Sequence, residues 1–243
     1  MGGIFVVKIG LDAGHGLLTR GKETPNKIKE WTLNDKVVDK VSSILKNYDC
    51  EIIRTDNNEG YTDESLSSRL ARYKAEKVNV FVSIHHNAFS DDWNNATGVE
   101  VYVDKKATSE DMKLAKCIYN RLVKYTGLKG RGIKKENFYV INQNTIPAIL
   151  VEGGFMNGRS DYKIITSDSG QTAYAKAIAE GLVEFLKLKK KSSAPKKSLD
   201  DWAKEVIAGK HGNGHTNREK SLKKSGCNYS YVKIRARVNE LLK

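Results

Sequence analysis

Cysteine is scarce: three residues in 243, Cys50, Cys117 and Cys227, odd in number and far apart. That excludes a disulfide framework and a CxxC metal site, and the thiols read as buried or incidental in a chain made in a reducing compartment. Long hydrophobic runs are missing too. None approaches the roughly 20 residues of a membrane-spanning helix. The N-terminus lacks a basic region, a long apolar region and a small-residue cleavage site, so no secretory signal is expected and synthesis in the cytoplasm is. Acidic residues are scarce in one part only. Residues 1–186 carry 26 Lys and Arg against 24 Asp and Glu, whereas residues 187–243 carry 16 against 5, so most of the formal charge of +13 belongs to the tail. Such a tail implies an anionic partner. Nucleic acid is not expected, because the charge is concentrated in a linker-like stretch and no recognised nucleic-acid motif accompanies it.

What is present is a strand that breaks abruptly. Ile4-Phe5-Val6-Val7-Lys8-Ile9 is apolar and β-branched, and it runs into Gly10-Leu11-Asp12-Ala13-Gly14-His15-Gly16. A histidine placed where a strand gives way to a loop is held by rigid backbone yet open to a crevice. In open α/β sheets, ligands bind just outside the carboxyl ends of the strands. The pattern repeats. Val78 to His86 reads as a strand covered on both faces and ends in Ser83-Ile84-His85-His86-Asn87-Ala88; Ala148-Ile149-Leu150-Val151 ends in Glu152-Gly153-Gly154-Phe155.

Helical spacing fills the intervals. A helix is predicted from Glu30, with Trp31, Val37, Val38, Val41, Ile44 and Leu45 on one face. Cys50–Arg54 reads as a strand. Ser65 caps a helix that turns Leu66, Leu70 and Tyr73 inward. Residues 98–103 read as a strand, about 108–126 as a helix, 127–132 as a basic glycine-rich loop and 138–141 as a short strand. Helices follow at about 158–165 and 170–187. Strands alternating with helices predict an α/β fold, a mostly parallel twisted sheet flanked by helices, over residues 1–187. Residues 188–198 are basic, apolar-poor and proline-broken, and read as a flexible linker. Residues 199–243 show three short helical patterns, a minimal three-helix module near the lower size limit for independent folding.

Three strand ends thus bring His15, His85 and Glu152 to one sheet edge, and Glu30 opens the helix after the first of them. Two histidines and a carboxylate form a catalytic zinc set with a position left for water. Such an ion makes water more acidic and polarises a carbonyl oxygen. A further carboxylate then serves as general base and later protonates a leaving amine. His86 reads as a neighbour, since adjacent side chains diverge at a strand end.

Together Asp12-Ala13-Gly14-His15-Gly16, Glu30, Arg69, Ser83–Ala88, Gly98-Val99-Glu100-Val101-Tyr102 and Pro147–Asn157 resemble the zinc-dependent N-acetylmuramoyl-L-alanine amidases of the amidase-3 type, over roughly residues 4–187. The resemblance implies that His15, Glu30 and His85 bind Zn2+ and that Glu152 is the catalytic acid–base. The implied reaction is hydrolysis of the amide between N-acetylmuramic acid and the L-alanine of the stem peptide in bacterial peptidoglycan. One departure is visible: Asn142 stands where the family often carries arginine.

The tail resembles one repeat of the Cpl-7 type of cell-wall-binding module, on Leu199–Gly209, Gly212-Asn213-Gly214, Arg218, Leu222, Gly226, Tyr229, Val232 and Val238–Leu242. The resemblance implies wall-binding roles for Asp201, Gly212, Asn213, Gly214 and Arg218. His211 stands where that pattern has tryptophan and Cys227 where it has an aromatic, which weakens sugar stacking. His211 and His215 read as solvated loop residues. The combination suggests a phage or prophage endolysin that acts on the wall after release, with anionic wall polymers as further partners of the basic tail. A host autolysin, a sporulation hydrolase and a non-catalytic wall-binding protein are the alternatives.

Overall fold

The strongest apolar run of the chain, Val80-Phe81-Val82-Ser83-Ile84, occupies the middle of a six-stranded sheet. The computed structural model describes residues 6–142, 145–191 and 197–243. It divides into two compact units, residues 1–191 and 192–243. In the first, the strands are β1 (Val7–Ala13), β2 (Cys50–Arg54), β3 (Val80–Asn87), β4 (Val99–Val103), β5 (Gly130–Lys135) and β6 (Ala148–Phe155), and their order across the sheet is β2-β1-β3-β6-β4-β5. All neighbouring pairs are parallel except β4 with β6.

The helices are α1 (Glu30–Leu45), α2 (Leu66–Ala75), α3 (Ser109–Thr126), the single turn α4 (Tyr139–Asn142), α5 (Arg159–Ile165) and α6 (Asp168–Leu186). The β3 run is nearly continuous in apolar residues because both faces are covered. Val80, Val82 and Ile84 join a core with Val37, Val38 and Val41 of α1, Leu114 and Ile118 of α3, and Ile178 and Leu182 of α6. Phe81 points the other way, against Leu70 and Tyr73 of α2 and Val140 and Ile141 of α4. Because β1, β3 and β6 are adjacent and parallel, their carboxyl ends deliver side chains to one edge.

Several expectations are corrected. The glycine-rich segment at 127–132 is not a loop throughout: from Gly130 it is strand β5, paired with β4. Residues 138–141 form no strand; Tyr139, Val140 and Ile141 belong to α4 instead. Leu66 is not turned inward but is 50% exposed, while Leu70 and Tyr73 are buried as expected. The three cysteines are unpaired and half-buried. Ile4 and Phe5 of the first predicted strand, and residues 192–196 of the predicted linker, lie outside the described residues.

The second unit contains α7 (Leu199–Ile207), α8 (His215–Lys224) and α9 (Tyr231–Leu241). Its core is small: Trp202, Val206, Leu222 and Ile234. Ser198 and Asp201 cap α7 reciprocally, and Ser230 caps α9.

Candidate active site

Glu30 is the first residue of α1, 2% exposed, and its two carboxylate oxygens separate two histidines. Oε2 lies 3.2 Å from His15 Nε2 and Oε1 lies 3.0 Å from His85 Nδ1. Ligand atoms of His15, Glu30 and His85 all fall within 4.8 Å of one another, the one such group of three or more His, Cys, Asp or Glu among the described residues. Two imidazole nitrogens and a carboxylate oxygen are the donor types of a catalytic zinc set, so the residues present fit such an ion. Burial alone would raise the Glu30 carboxyl; the hydrogen bonds and charge of the two histidines outweigh it and hold the group well below the usual range.

Each histidine is fixed by backbone. His15 follows β1 with φ +66°, a left-handed conformation rare for a residue with a side chain. Its carbonyl accepts from Arg69 Nη2 at 2.7 Å. His85 lies in β3 opposite Glu152 of β6. Gly14 leaves room for the His85 ring, since a Cβ there would sit 2.0 Å from His85 Cε1. Asp12 and Arg69 form a buried ion pair at 2.7 Å. Burial would raise the Asp12 carboxyl; the Arg69 charge and the Ser83 hydrogen bond overcome that and lower it.

Glu152 is half-buried, and its Oε2 is enclosed with no hydrogen-bond partner among the described residues. Its pKa is raised well above the usual carboxylate range, first by burial and then by the negative charges of Glu30 and Glu100. Glu100 is its register partner on β4. That buried carboxylate accepts from Asn87 Nδ2, Tyr102 Oη and Arg131 Nε, each at 2.7 Å, and from Lys134 Nζ. Alongside the histidines runs a cleft of about 320 Å³ whose walls include His15, Asp63, Leu66, His85 and Val140.

Of the four residues named from the sequence, His15, Glu30 and His85 therefore come together, and Glu152 is the register partner of His85 on the next strand. Sequence reasoning missed the residues behind them. Asn34, fully buried, donates from Nδ2 to Glu30 Oε1 at 3.3 Å and to the Gly14 carbonyl at 3.1 Å. Its Oδ1 lies 2.7 Å from His86 Nδ1. The signal was its place four residues after Glu30, on the same helix face. His86 points away from His85, as expected, but is a buried support: its backbone N–H donates to Glu30 Oε1. Tyr174 Oη donates to the carbonyls of His85 and Val151. Asn142 donates to Asn137 Oδ1 at 2.6 Å.

In the second unit, Asp201 accepts from the backbone and hydroxyl of Ser198. Gly212 and Gly214 shape the α7–α8 turn around Asn213 with φ of +73° and +81°. Arg218 Nε donates to the Gly212 carbonyl at 2.9 Å. His211 corrects the sequence reading: it is buried, tilted against Trp202, with Nδ1 3.0 Å from Ser221 Oγ and Nε2 3.4 Å from Glu205 Oε2. His215 is exposed, beside Tyr231.

A family model described as N-acetylmuramoyl-L-alanine amidase matches residues 9–184, and one described as CW_7 repeat matches residues 200–242. An endolysin of Bacillus phage SPP1 is 36% identical over 77% of this chain and 69% of its own length. Coverage of other curated relatives' own length ranges from 24% to 82%. Among solved structures, an N-acetylmuramoyl-L-alanine amidase from Clostridium difficile 630 superposes with a TM-score of 0.70 at 29% identity, over 75% of this chain and 97% of that one. The catalytic domain of CwlV, an amidase from Bacillus (Paenibacillus) polymyxa var. colistinus, gives 0.69 at 31% identity, over 75% and 99%.

Proposed function

The chain belongs to the N-acetylmuramoyl-L-alanine amidase family, and from that premise we propose how its residues divide the work of hydrolysing peptidoglycan. The substrate bond is the amide between the lactyl group of N-acetylmuramic acid and L-alanine. The observation that carries the reading is the convergence of His15, Glu30 and His85 beside the strand end that bears Glu152. The two histidines and Glu30 hold a zinc ion, which when bound supplies a Lewis acid for the carbonyl oxygen and makes water a stronger acid near neutral pH.

Glu152 moves the proton. Its carboxylate form takes a proton from the attacking water as oxygen adds to the carbonyl carbon. The carboxylic acid form gives that proton to the amide nitrogen as the C–N bond breaks, leaving a lactyl carboxylic acid and the free amine of L-alanine, and the acid then passes its proton to the amine or to solvent. Burial and the neighbouring negative charges favour the protonated form, which suits the second step. Asn34 and the backbone of His86 hold Glu30 toward the histidines rather than toward Glu152.

The second unit acts as a wall-binding module, with Asp201, Gly212, Asn213, Gly214 and Arg218 shaping its binding face. Its excess of Lys and Arg favours anionic wall polymers as additional contacts. Linking a weak wall binder to the hydrolase raises the local concentration of scissile bonds without any new contact at the active site. The similarity to the SPP1 endolysin supports release from an infected or lysogenic cell as the setting. No helix among the described residues is long and apolar enough to cross a membrane.

End-group analysis of digested peptidoglycan tests the reading. New free L-alanine amino groups without new reducing sugar ends are expected, abolished by a zinc chelator and restored by zinc. New reducing ends would mean a glycosidase. Sedimentation with walls and no release of either end group would leave a binding protein.

A further inference from the structure

Behind His85, on the side away from Glu30, buried polar side chains form a continuous line. Arg69 Nη1 donates to Asp12 Oδ1 at 2.7 Å, and Thr55 Oγ1 donates to the same oxygen at 3.0 Å. Ser83 Oγ donates to the other oxygen, Oδ2, at 2.7 Å. Asp12, Arg69 and Ser83 are all at most 2% exposed.

The line has a direction. A carboxylate paired with arginine only accepts, so the single hydroxyl hydrogen of Ser83 is committed to Asp12. Ser83 Oγ therefore offers nothing but lone pairs to His85 Nε2, 3.1 Å away. That contact is a hydrogen bond only when Nε2 carries the hydrogen. Nδ1 lies 3.0 Å from Glu30 Oε1, a hydrogen bond only when Nδ1 carries a hydrogen; a cation held by both groups needs that nitrogen bare, which leaves Nε2 to carry the ring hydrogen. A neutral imidazole has one ring hydrogen, and the partner of one nitrogen decides which nitrogen can ligate.

We propose that Ser83, held by Asp12 and Arg69, is a positioning residue that keeps the His85 hydrogen on Nε2 and so presents Nδ1 to the metal. This rests on the reading of His85 as a metal ligand. Arg69 also holds the His15 carbonyl, so its replacement disturbs both histidines at once. Ser83 is the cleaner residue to test.

The test uses the full chain, with Ser83→Ala, Ser83→Thr and the parent compared in two measurements. One is the zinc Kd, by competition with a chromophoric chelator. The other is the 15N–1H spectrum of the imidazole groups of the zinc-loaded protein, tractable with five histidines. In the parent, His85 shows a hydrogen on Nε2 protected from exchange. In Ser83→Ala that protection disappears and the zinc Kd rises by about 10- to 100-fold. Ser83→Thr restores both. A Ser83→Ala chain that binds zinc as the parent does overturns the proposal. So does a zinc-loaded parent whose His85 hydrogen sits on Nδ1, a result that needs no variant to fold. Should zinc leave the ring signals of His15 and His85 unmoved in the parent, the metal-ligand reading itself falls. A normal response there with an unchanged Ser83→Ala affinity removes only the role of Ser83.

Discussion

His85 and Glu152 are register partners on neighbouring parallel strands, β3 and β6. The proposed ligand and the proposed acid–base are therefore spaced by a sheet ladder, a more rigid support than a loop. Glu152→Gln keeps the shape but cannot exchange a proton. Hydrolysis should fall by about 10²- to 10⁴-fold, while zinc content and sedimentation with walls stay at parent levels. The assay is amine release from purified peptidoglycan alongside metal analysis. Full activity in this variant would move the acid–base role to another residue.

Gly14→Ala should separate the metal site from the fold. The added Cβ would lie 2.0, 2.3 and 2.4 Å from three atoms of the His85 ring, with no strain from the Gly14 backbone itself. The ring cannot retreat without breaking its contacts to Ser83 and Glu30. Zinc affinity is expected to drop by about 10-fold or more, with the far-ultraviolet circular dichroism of the parent retained. An unchanged zinc titration would show that the ring is free to shift.

Asn34 should matter for stability as well as metal binding. Asn34→Ala removes a donor to Glu30 and Gly14 and leaves His86 Nδ1 without its acceptor. Leaving buried polar groups unpaired costs about 1–3 kcal/mol. Urea unfolding of the metal-free chain measures that loss, and zinc titration should show weaker binding, because Glu30 is then free to turn. Parent-like values in both would reduce Asn34 to a space filler.

Much of this site was legible because its residues sit at the most strongly patterned points of the chain. His15, His85 and Glu152 each follow an apolar run, and Glu30 opens a helix with a clear apolar face. The other features lacked such a pattern. Strand β5, Gly-Arg-Gly-Ile-Lys-Lys, has one apolar residue and two glycines; it is an edge strand, where basic side chains discourage further pairing. Residues 138–141 looked like a strand because they are aromatic and β-branched, yet packing against α2 curls them into a helical turn. The line from Arg69 through Asp12 to Ser83 joins residues 57 and 71 positions apart. No local pattern reports a bond of that kind. His211 was misplaced for the same reason: its partners, Trp202 and Ser221, come from two different helices.

His86 gives the larger unit a defined acid sensitivity. Burial pushes its pKa down to about 4, against the opposing pull of the Glu30 charge. The unfolded chain binds a proton there near the ordinary histidine value of about 6.5. As pH falls below that value the unfolded state gains protons first, so stability is full above it and is lost down to the folded value. Between about pH 7.5 and about pH 5 the metal-free parent should lose about 2 kcal/mol more than His86→Asn. Denaturant curves of both chains at the two pH values give the difference. Equal losses would mean that His86 is protonated in the folded state.

The second unit has far less to lose. Four buried side chains make its core, and Trp202 is the largest, also carrying the Lys197 ammonium over its ring at 4.3 Å. Truncating a buried tryptophan costs about 3–5 kcal/mol, and a single core of this size rarely supplies more than about 3–5 kcal/mol in total. Trp202→Ala should therefore unfold the module and leave the sheet unit intact. Sedimentation with intact walls should fall sharply, whereas hydrolysis of a short soluble muropeptide should continue at the parent rate, because none of the residues proposed for hydrolysis lies in this unit. A variant that still sediments would place wall affinity in residues 1–191. One that loses soluble hydrolysis as well would show that the two units do not function independently.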